Sequence, residues 1–145
     1  MNKTFIPSSY YVSPKWYIVD AADQTLGRFS SRIAQILQGK TKINFHSSLN
    51  NSIRLIIINI EKIHIGGNKE EQKLYYRHSG RPGGLKIESF KSLKVRIPGR
   101  ILEKSIRGML PKNSLGREMF THLKLFEGSD YLQVAQKPEK INVYD

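Results

Sequence analysis

The sequence predicts a single α/β domain built around a mainly parallel sheet, and three observations support this. A short apolar strand, an amphipathic helix and a β-branched strand follow one another, which is the order of elements in parallel sheets. The 145 residues are about the usual size of one domain. No internal repeat or linker divides them. We therefore expect residues 1–145 to form one domain, with an N-terminal extension (1–14) and a largely irregular C-terminal tail (127–145).

The first strand and helix are the clearest elements. Residues 16–19 are apolar and predict a strand, and residues 20–25 predict a turn that contains helix-capping residues. The apolar residues that follow recur at helical spacing and form one stripe. They are Leu26, Phe29, Ile33, Ile36 and Leu37. Gly39 then stands where a C-cap glycine is expected.

A continuous β-branched run marks the second strand. Residues 44–52 are polar and predict a loop, and residues 54–59, with Ile53 at their edge, predict a strand buried on both faces, as in a parallel sheet. Residues 63–65 predict a further short strand, which ends at the glycines that follow.

The second half alternates between helices and loops. Residues 73–78 predict an extended segment and residues 79–86 a Gly/Pro loop. Pro98 ends one apolar segment and suits the first turn of the next helix, which Pro111 ends. A short helix over 115–123 and a strand over 123–126 complete the predicted elements.

Positive charge is concentrated in one part of the chain. Lys and Arg number 24 against 12 Asp and Glu, so the net charge is +12 and the pI is about 10.0. Residues 73–124 carry 13 basic and 3 acidic side chains, a net charge of +10, whereas residues 1–72 carry +4 and residues 125–145 carry −2. Because apolar residues interleave these charges, they predict a folded basic surface that favours a polyanionic partner, most often nucleic acid.

Several functional classes are excluded by what the sequence lacks. Without cysteine there are no disulfides, thiolate metal sites or cysteine nucleophiles. No apolar run approaches the roughly 18 residues of a transmembrane helix, and the N-terminus lacks the apolar region of a signal peptide. We therefore expect no membrane partner.

No catalytic or cofactor site is predicted. Residues 39–41 resemble the end of a P-loop, but they follow a helix instead of opening one, and Ala34 occupies the place of the required glycine. Gly27 alone cannot form a dinucleotide-binding turn. The histidines lack metal-site spacing, and Asp20 and Asp23 are interpreted as helix caps. We expect no enzyme activity, cofactor, metal or small-molecule substrate.

Two stretches fit polyanion binding. In residues 75–86, cationic side chains can pair with phosphates while glycines let the backbone approach closely. The cations are Arg77, His78, Arg81 and Lys86, and the glycines are Gly80, Gly83 and Gly84. Tyr75 and Tyr76 can either stack on bases or pack in the core, and we expect at least one of them to pack.

The second stretch is residues 106–124. Its cations surround a proline and two glycines, and Asn113 and Ser114 can cap a helix that begins near Leu115. These cations are Arg107, Lys112, Arg117 and Lys124. The apolar residues between them are expected in the core. They are Met109, Leu110, Met119, Phe120 and Leu123.

At this stretch the sequence resembles a known family. GMLPKNSLGREMF (108–120) is similar to the signature of the universal large-subunit ribosomal protein family L-thirteen. Further blocks of that family follow the same order over about residues 14–143. They are WYIVDAADQTLGRFSSRIAQILQGK (16–40), GNK (67–69), KLYYRHSGRPGGLK (73–86) and AQKP (135–138). These blocks are most similar to the cyanobacterial and plastid branch.

The resemblance implies a three-layer α/β/α domain with a short, mainly parallel sheet. It also implies a structural, non-enzymatic protein that binds large-subunit rRNA, joins early in assembly and contacts neighbouring ribosomal proteins. The RNA contacts it implies are His78, Ser79, Gly80, Arg81, Gly83 and Gly84, then Lys112, Asn113, Gly116 and Arg117, with Lys40 and Lys42 as additions. The loop 44–52 departs from the family pattern, so no contact is carried over to it.

The composition and the resemblance also suggest a location. Isoleucine exceeds valine and lysine exceeds arginine, as in an AT-rich genome, which favours the plastid stroma over the bacterial cytoplasm. Two alternatives stay open at this point. One is a regulatory RNA-binding protein outside the ribosome, and the other is a nucleotide-dependent α/β enzyme.

Overall fold

The computed structural model describes residues 14–143, so the expected N-terminal extension lies outside the described residues except for Pro14. The elements are β1 (Lys15–Asp20), α1 (Leu26–Gln38), β2 (Ile53–Ile58), α2 (Lys69–Gln72), β3 (Leu74–His78), β4 (Leu85–Ser89), α3 (Phe90–Arg96), α4 (Gly99–Met109), α5 (Ser114–Thr121), β5 (Leu123–Leu125) and β6 (Glu139–Lys140). Short 3-10 turns cover Ile60–Lys62 and Val134–Gln136.

A four-stranded parallel sheet forms the centre of the molecule. Its strand order is β5-β2-β1-β6, and β1 pairs with β2 from Lys15 opposite Ile53 to Asp20 opposite Ile58. In β2, Leu55 and Ile57 face the main core, and the residue between them on the opposite face, Ile56, is also fully buried. Burial on both faces explains why β2 is continuously apolar. Helices flank this sheet, so the predicted α/β class is confirmed.

Helix α1 packs its apolar stripe between the sheet and α4. Phe29, Ile33 and Leu37 are buried in one cluster with Leu102 and Ile106 of α4. This confirms the helix that the apolar spacing predicted.

The end of α1 is closed by the loop that precedes β2. Gly39 is left-handed (φ 75°), and the N–H groups of Gly39 and Lys40 donate to the carbonyls of Ile36 (2.8 Å) and Gln35 (3.0 Å). Asn51 is buried and donates its side-chain N–H to the Gln38 carbonyl (3.0 Å). A Cβ at residue 39 would overlap the Asn51 side chain, so glycine is required by both conformation and space.

The turn between β1 and α1 differs from the prediction. The N-cap of α1 is Thr25, which makes no side-chain capping bond, and neither Asp20 nor Asp23 caps the helix. Asp20 accepts hydrogen bonds from the Ala22 N–H and the Asn59 side chain, both at 2.9 Å. Burial opposes ionisation of Asp20, but these hydrogen bonds and nearby lysines lower its pKa overall. Asp20 therefore ties the end of β1 to the end of β2.

Three segments differ from the predicted elements. Residues 63–65 form no strand, because only His64 makes a single bridge to Thr25 after the 3-10 turn. Leu85 and Lys86 belong to β4 and not to a loop, since they pair with β3. The tail contributes β6, a two-residue edge strand beside β1.

The C-terminal tail crosses the sheet. Because β5 and β6 lie at opposite edges, residues 126–138 must pass over one face. Parallel connections are right-handed, which places this segment on the face opposite α1 and α4. Backbone bonds hold both of its ends, from the Asn59 N–H to the Gly128 carbonyl (2.9 Å) and from the Ile141 N–H to the Ile18 carbonyl (3.0 Å).

Candidate nucleic-acid interface

Strands β3 and β4 form a two-stranded antiparallel hairpin whose tip is the predicted glycine loop. Inside the tip, the Gly80 N–H donates to His78 Nδ1 (2.9 Å) and the Gly84 N–H donates to the Arg81 carbonyl (2.9 Å). Gly80 and Gly83 have φ of 87° and 73°, a left-handed conformation that favours glycine. The loop is thus a tight, hydrogen-bonded tip that leaves the Arg81 side chain exposed.

The base of the hairpin is anchored on α3 and α4. The Tyr75 ring stacks on the buried Phe90 ring at 6.1 Å between centroids, and Lys104 Nζ lies 4.3 Å from the Tyr75 centroid. Burial raises the pKa of the Tyr75 phenol. Tyr76 is 63% exposed. As expected, one of the two tyrosines packs, and the structure shows that it is Tyr75.

The two faces of the hairpin differ in chemistry. Residues directly opposite each other in an antiparallel pair share a face. Arg77 lies opposite Lys86 on the inner face, which also carries Tyr75. Tyr76 lies opposite Ile87 on the outer face. The inner face is therefore cationic near the tip, while the outer face is largely apolar.

A groove lined with positive side chains runs between the hairpin and helices α3, α4 and α5. We call it the basic groove. It consists of two adjoining cavities of about 360 Å³ each, which share Arg107 and Phe120. The cations that line it are Arg77, Arg96, Arg100, Lys104, Arg107, Lys112 and Arg117. Arg77 of the first predicted stretch and Arg107, Lys112 and Arg117 of the second thus line one groove.

The acids that line the groove are already neutralised. Glu88 accepts two hydrogen bonds from Arg96, at 2.9 Å to Nε and 2.8 Å to Nη2, and Glu103 pairs with Arg100 at 3.0 Å. The Arg96 hydrogen bonds lower the pKa of Glu88, although limited burial opposes the shift.

Five cations of the groove are left without a carboxylate. None of these five forms an ion pair with a carboxylate among residues 14–143. The five are Arg77, Lys104, Arg107, Lys112 and Arg117. The guanidinium of Arg107 lies 5.8 Å from the Phe120 centroid, which holds it at the junction of the two cavities. Net positive charge is therefore available to an anionic ligand.

Helix α5 begins at the groove as its capping residues predicted. Asn113 Oδ1 accepts a hydrogen bond from the Gly116 N–H (2.8 Å), which confirms the cap. A Cβ at Gly116 would overlap the Pro111 carbonyl, so this glycine lets α5 pack closely on the preceding turn. Capping accounts for Asn113, whereas Lys112, Gly116 and Arg117 line the first cavity.

Many of the predicted RNA contacts do not line the groove. The tip residues 78–84 and Lys86 line neither cavity, although they belong to the same hairpin as Arg77. Lys40, Lys42 and Lys124 lie on other parts of the surface. Lys42 lines another cleft of about 340 Å³, which shares no lining residue with the groove, and Lys40 follows the same helix end. Burial of the Lys42 ammonium group lowers its pKa, and repulsion by the nearby Lys15 lowers it further. Lys124 pairs in register with Ile56, so it lies on the sheet face away from α1 and α4.

Three groove cations were not predicted from the sequence. Arg96, Arg100 and Lys104 line the second cavity beside Arg107. Arg100, Lys104 and Arg107 follow one another at i, i+4 and i+7, which places them on one face of α4. That spacing was a readable signal in the sequence. Met109, which was predicted in the core, is 42% exposed: it continues the stripe of Leu102 and Ile106, but it is the last residue of α4.

The described residues contain neither a metal-binding cluster nor a membrane-spanning helix. Between residues 14 and 143, no group of three His, Cys, Asp or Glu side chains could hold a metal ion. Within the same range, no helix is long and apolar enough to span a membrane.

Comparisons with known proteins agree with the resemblance. The family model "Ribosomal protein L13" matches residues 14–132. Relatives in Prochlorococcus marinus and Acaryochloris marina are each 51% identical over 143 residues, 99% of this chain and 95% of theirs. A Cyanothece relative is 50% identical over 99% of this chain and 96% of its own length. Each is named "Large ribosomal subunit protein uL13", a ribosomal protein and not an enzyme, in agreement with the expectation for this chain. The chain belongs to the ribosomal protein L13 family.

Proposed function

We propose that this chain is a structural constituent of the large ribosomal subunit that binds and stabilises folded large-subunit rRNA and joins early in assembly. The observation that carries the proposal is the basic groove, in which five cations have no carboxylate partner among the described residues. The names of the cyanobacterial relatives support the ribosomal assignment.

The groove and the tip offer a mechanism for binding. Lysine and arginine release counterions when they pair with phosphates, and this release supplies much of the affinity of RNA-binding proteins. The glycine tip lets the RNA backbone approach closely, while α4 and the buried sheet hold the cations in fixed positions. Recognition then depends on the folded shape of the RNA more than on base sequence.

The proposed location is the ribosome of a plastid, in the stroma. The similarity to cyanobacterial relatives and the isoleucine- and lysine-rich composition support it. The same chemistry would serve in a bacterial cytoplasm. Neighbouring proteins of the large subunit are proposed as further partners.

The test is a triple variant, Arg81→Ala, Lys112→Ala and Arg117→Ala, measured against an in vitro transcript of cyanobacterial large-subunit rRNA. All three side chains are exposed, so folding should be unchanged by circular dichroism. We expect weaker binding and a slope of log Kd against log salt that is smaller by about 2 to 3, since each phosphate contact contributes about 0.7 to 0.9.

The matched control removes the same charge elsewhere. Lys62→Ala, Lys91→Ala and Lys137→Ala replace three exposed lysines that do not line the groove. This variant should keep most of the affinity. If the two triple variants lose equal affinity, the groove and the hairpin tip have no special role and binding reflects net charge alone.

Sedimentation separates this function from a regulatory role outside the ribosome. The tagged full chain, expressed in a cyanobacterium, should sediment with the large subunit and remain there through a moderate salt wash. Recovery only in the soluble fraction would contradict the ribosomal assignment.

A further inference from the structure

The outer face of the hairpin is apolar although it is open to solvent. Leu74, Tyr76, Leu85 and Ile87 are 43%, 63%, 52% and 56% exposed. Strand alternation and the register place all four on this face, together with His78. Residues 14–143 therefore leave a contiguous apolar surface uncovered on an exposed ribbon, and such a surface marks an interaction site.

We infer that this outer face is a stacking platform for an unpaired RNA base, with Tyr76 against the base. The inference rests on the proposed rRNA-binding function and adds a contact that the basic groove does not provide. An aromatic ring stacks on any nucleobase, because every base has a π-face. Ile87 lies directly across from Tyr76 and extends the apolar surface beneath the base.

The surrounding charges favour a nucleotide over an apolar protein surface. Arg81 lies at the tip, Arg77 and Lys86 belong to the inner face of the same strands, and the described outer face carries no acid. A nucleotide combines an apolar base with a phosphate, which matches an apolar face on a ribbon whose tip and opposite face are cationic. An apolar protein patch would gain nothing from these cations.

His78 adds a donor beside the platform. Its Nδ1 accepts the hydrogen bond from the Gly80 N–H, so the neutral ring carries its proton on Nε2. This N–H can donate to a phosphate oxygen or a base edge. The ring is held in place by the tip and does not have to be ordered when RNA binds.

The platform is continuous with the basic groove. Tyr76 lines the second cavity and also belongs to the outer face. An RNA strand whose phosphates lie in the groove can therefore turn a base onto Tyr76. The base must be unpaired, because bases inside an RNA helix are already stacked on their neighbours.

The experiment compares three substitutions of Tyr76 in the full chain, using the cyanobacterial large-subunit rRNA transcript. Tyr76→Ala should weaken binding about 5- to 150-fold, the range measured when stacking aromatics are replaced by alanine. The salt slope should not change, because no phosphate contact is lost. Tyr76→Phe should bind within about twofold of the parent, whereas Tyr76→Leu, which is apolar without a π-face, should remain close to Tyr76→Ala.

Two results would overturn the inference. One is a Tyr76→Ala variant that binds the transcript like the parent. The other is a Tyr76→Leu variant that restores binding as fully as Tyr76→Phe, because apolar contact without stacking would then suffice. Unchanged RNA affinity with lost co-sedimentation would assign the face to a neighbouring protein instead.

The controls separate this inference from the proposed function. Leu132 is 87% exposed and lies outside the hairpin, so Leu132→Ala should bind RNA normally. If the parent itself fails to bind the transcript, the proposed function fails and the platform fails with it. If the parent binds and Tyr76→Ala binds equally well, only the platform fails.

Discussion

The central sheet and the hairpin use similar residues in opposite environments. Strand β2 has fully buried Leu55, Ile56 and Ile57, while β3 and β4 expose most of their apolar side chains. The sheet is stabilised by its own burial, whereas a lone two-stranded hairpin is marginal in water. The hairpin persists because Tyr75 and Phe90 fix one end of it to the body. This contrast assigns folding to the sheet and supports the proposal that the hairpin serves binding.

The largest expected effect tests this contrast directly. Ile57→Ala removes a fully buried side chain from the main core and should lower the free energy of unfolding by about 2–5 kcal/mol. Ile87→Ala, in the exposed hairpin, should change it by less than about 0.5 kcal/mol. Urea unfolding of both variants measures the difference. Equal losses would mean that the hairpin face is part of the folding core after all.

A pair of glycines provides the second test, at the junction between body and groove. Gly116→Ala places a methyl group against the Pro111 carbonyl, a backbone atom that cannot move aside easily. We expect a loss of about 2–4 kcal/mol in the free energy of unfolding, together with weaker RNA binding, because the start of α5 positions Lys112 and Arg117.

Gly108→Ala is the matched control. Gly108 lies in α4 with open space around its Cβ position, so alanine should stabilise the helix by about 0.5–1 kcal/mol. Thermal unfolding should therefore shift in opposite directions for the two variants. A stable, fully binding Gly116→Ala protein would show that the close approach to Pro111 has no importance.

Much of the body could be predicted from sequence because periodicity reports burial. The apolar stripe of α1 and the continuous run of β2 each have a single reasonable interpretation. Beta pairing of the tail could not be predicted, because β6 has only two exposed residues and depends on β1 for its conformation. The single β-bridge between His64 and Thr25 could not be predicted either, because an isolated bridge leaves no pattern in the sequence.

Strand β4, the second strand of the hairpin, was missed for a different physical reason. Leu85 and Ile87 alternate with Lys86 and Glu88, but the alternation marks no buried face, so it provides no signal for a core strand. Charge density located the basic region correctly, yet it could not show that α4 contributes Arg100 and Lys104 to the same groove. Only the packing of α4 between α1 and α3 brings these side chains beside the hairpin.

The smallest expected effect is a pH dependence of folding that comes from His122 in the body. Burial lowers the pKa of His122, as does the nearby Arg54, while Glu118 opposes the shift. In the unfolded chain the same imidazole titrates near the ordinary value of about 6.5. The unfolded state therefore takes up a proton first as the pH falls. The contribution of neutral His122 to the free energy of unfolding is therefore present above about pH 6.5. It is lost as the pH falls through the pKa that His122 has in the folded state.

Unfolding free energies at pH 7.5 and pH 5.5 should therefore differ by less than about 1 kcal/mol in the parent, with the lower value at pH 5.5. His122→Gln, which cannot titrate, should flatten this difference. Leu132→Ala, which changes an exposed side chain and removes no titratable group, serves as the control and should keep the difference. A difference that His122→Gln leaves unchanged would mean that another group carries the pH dependence of folding.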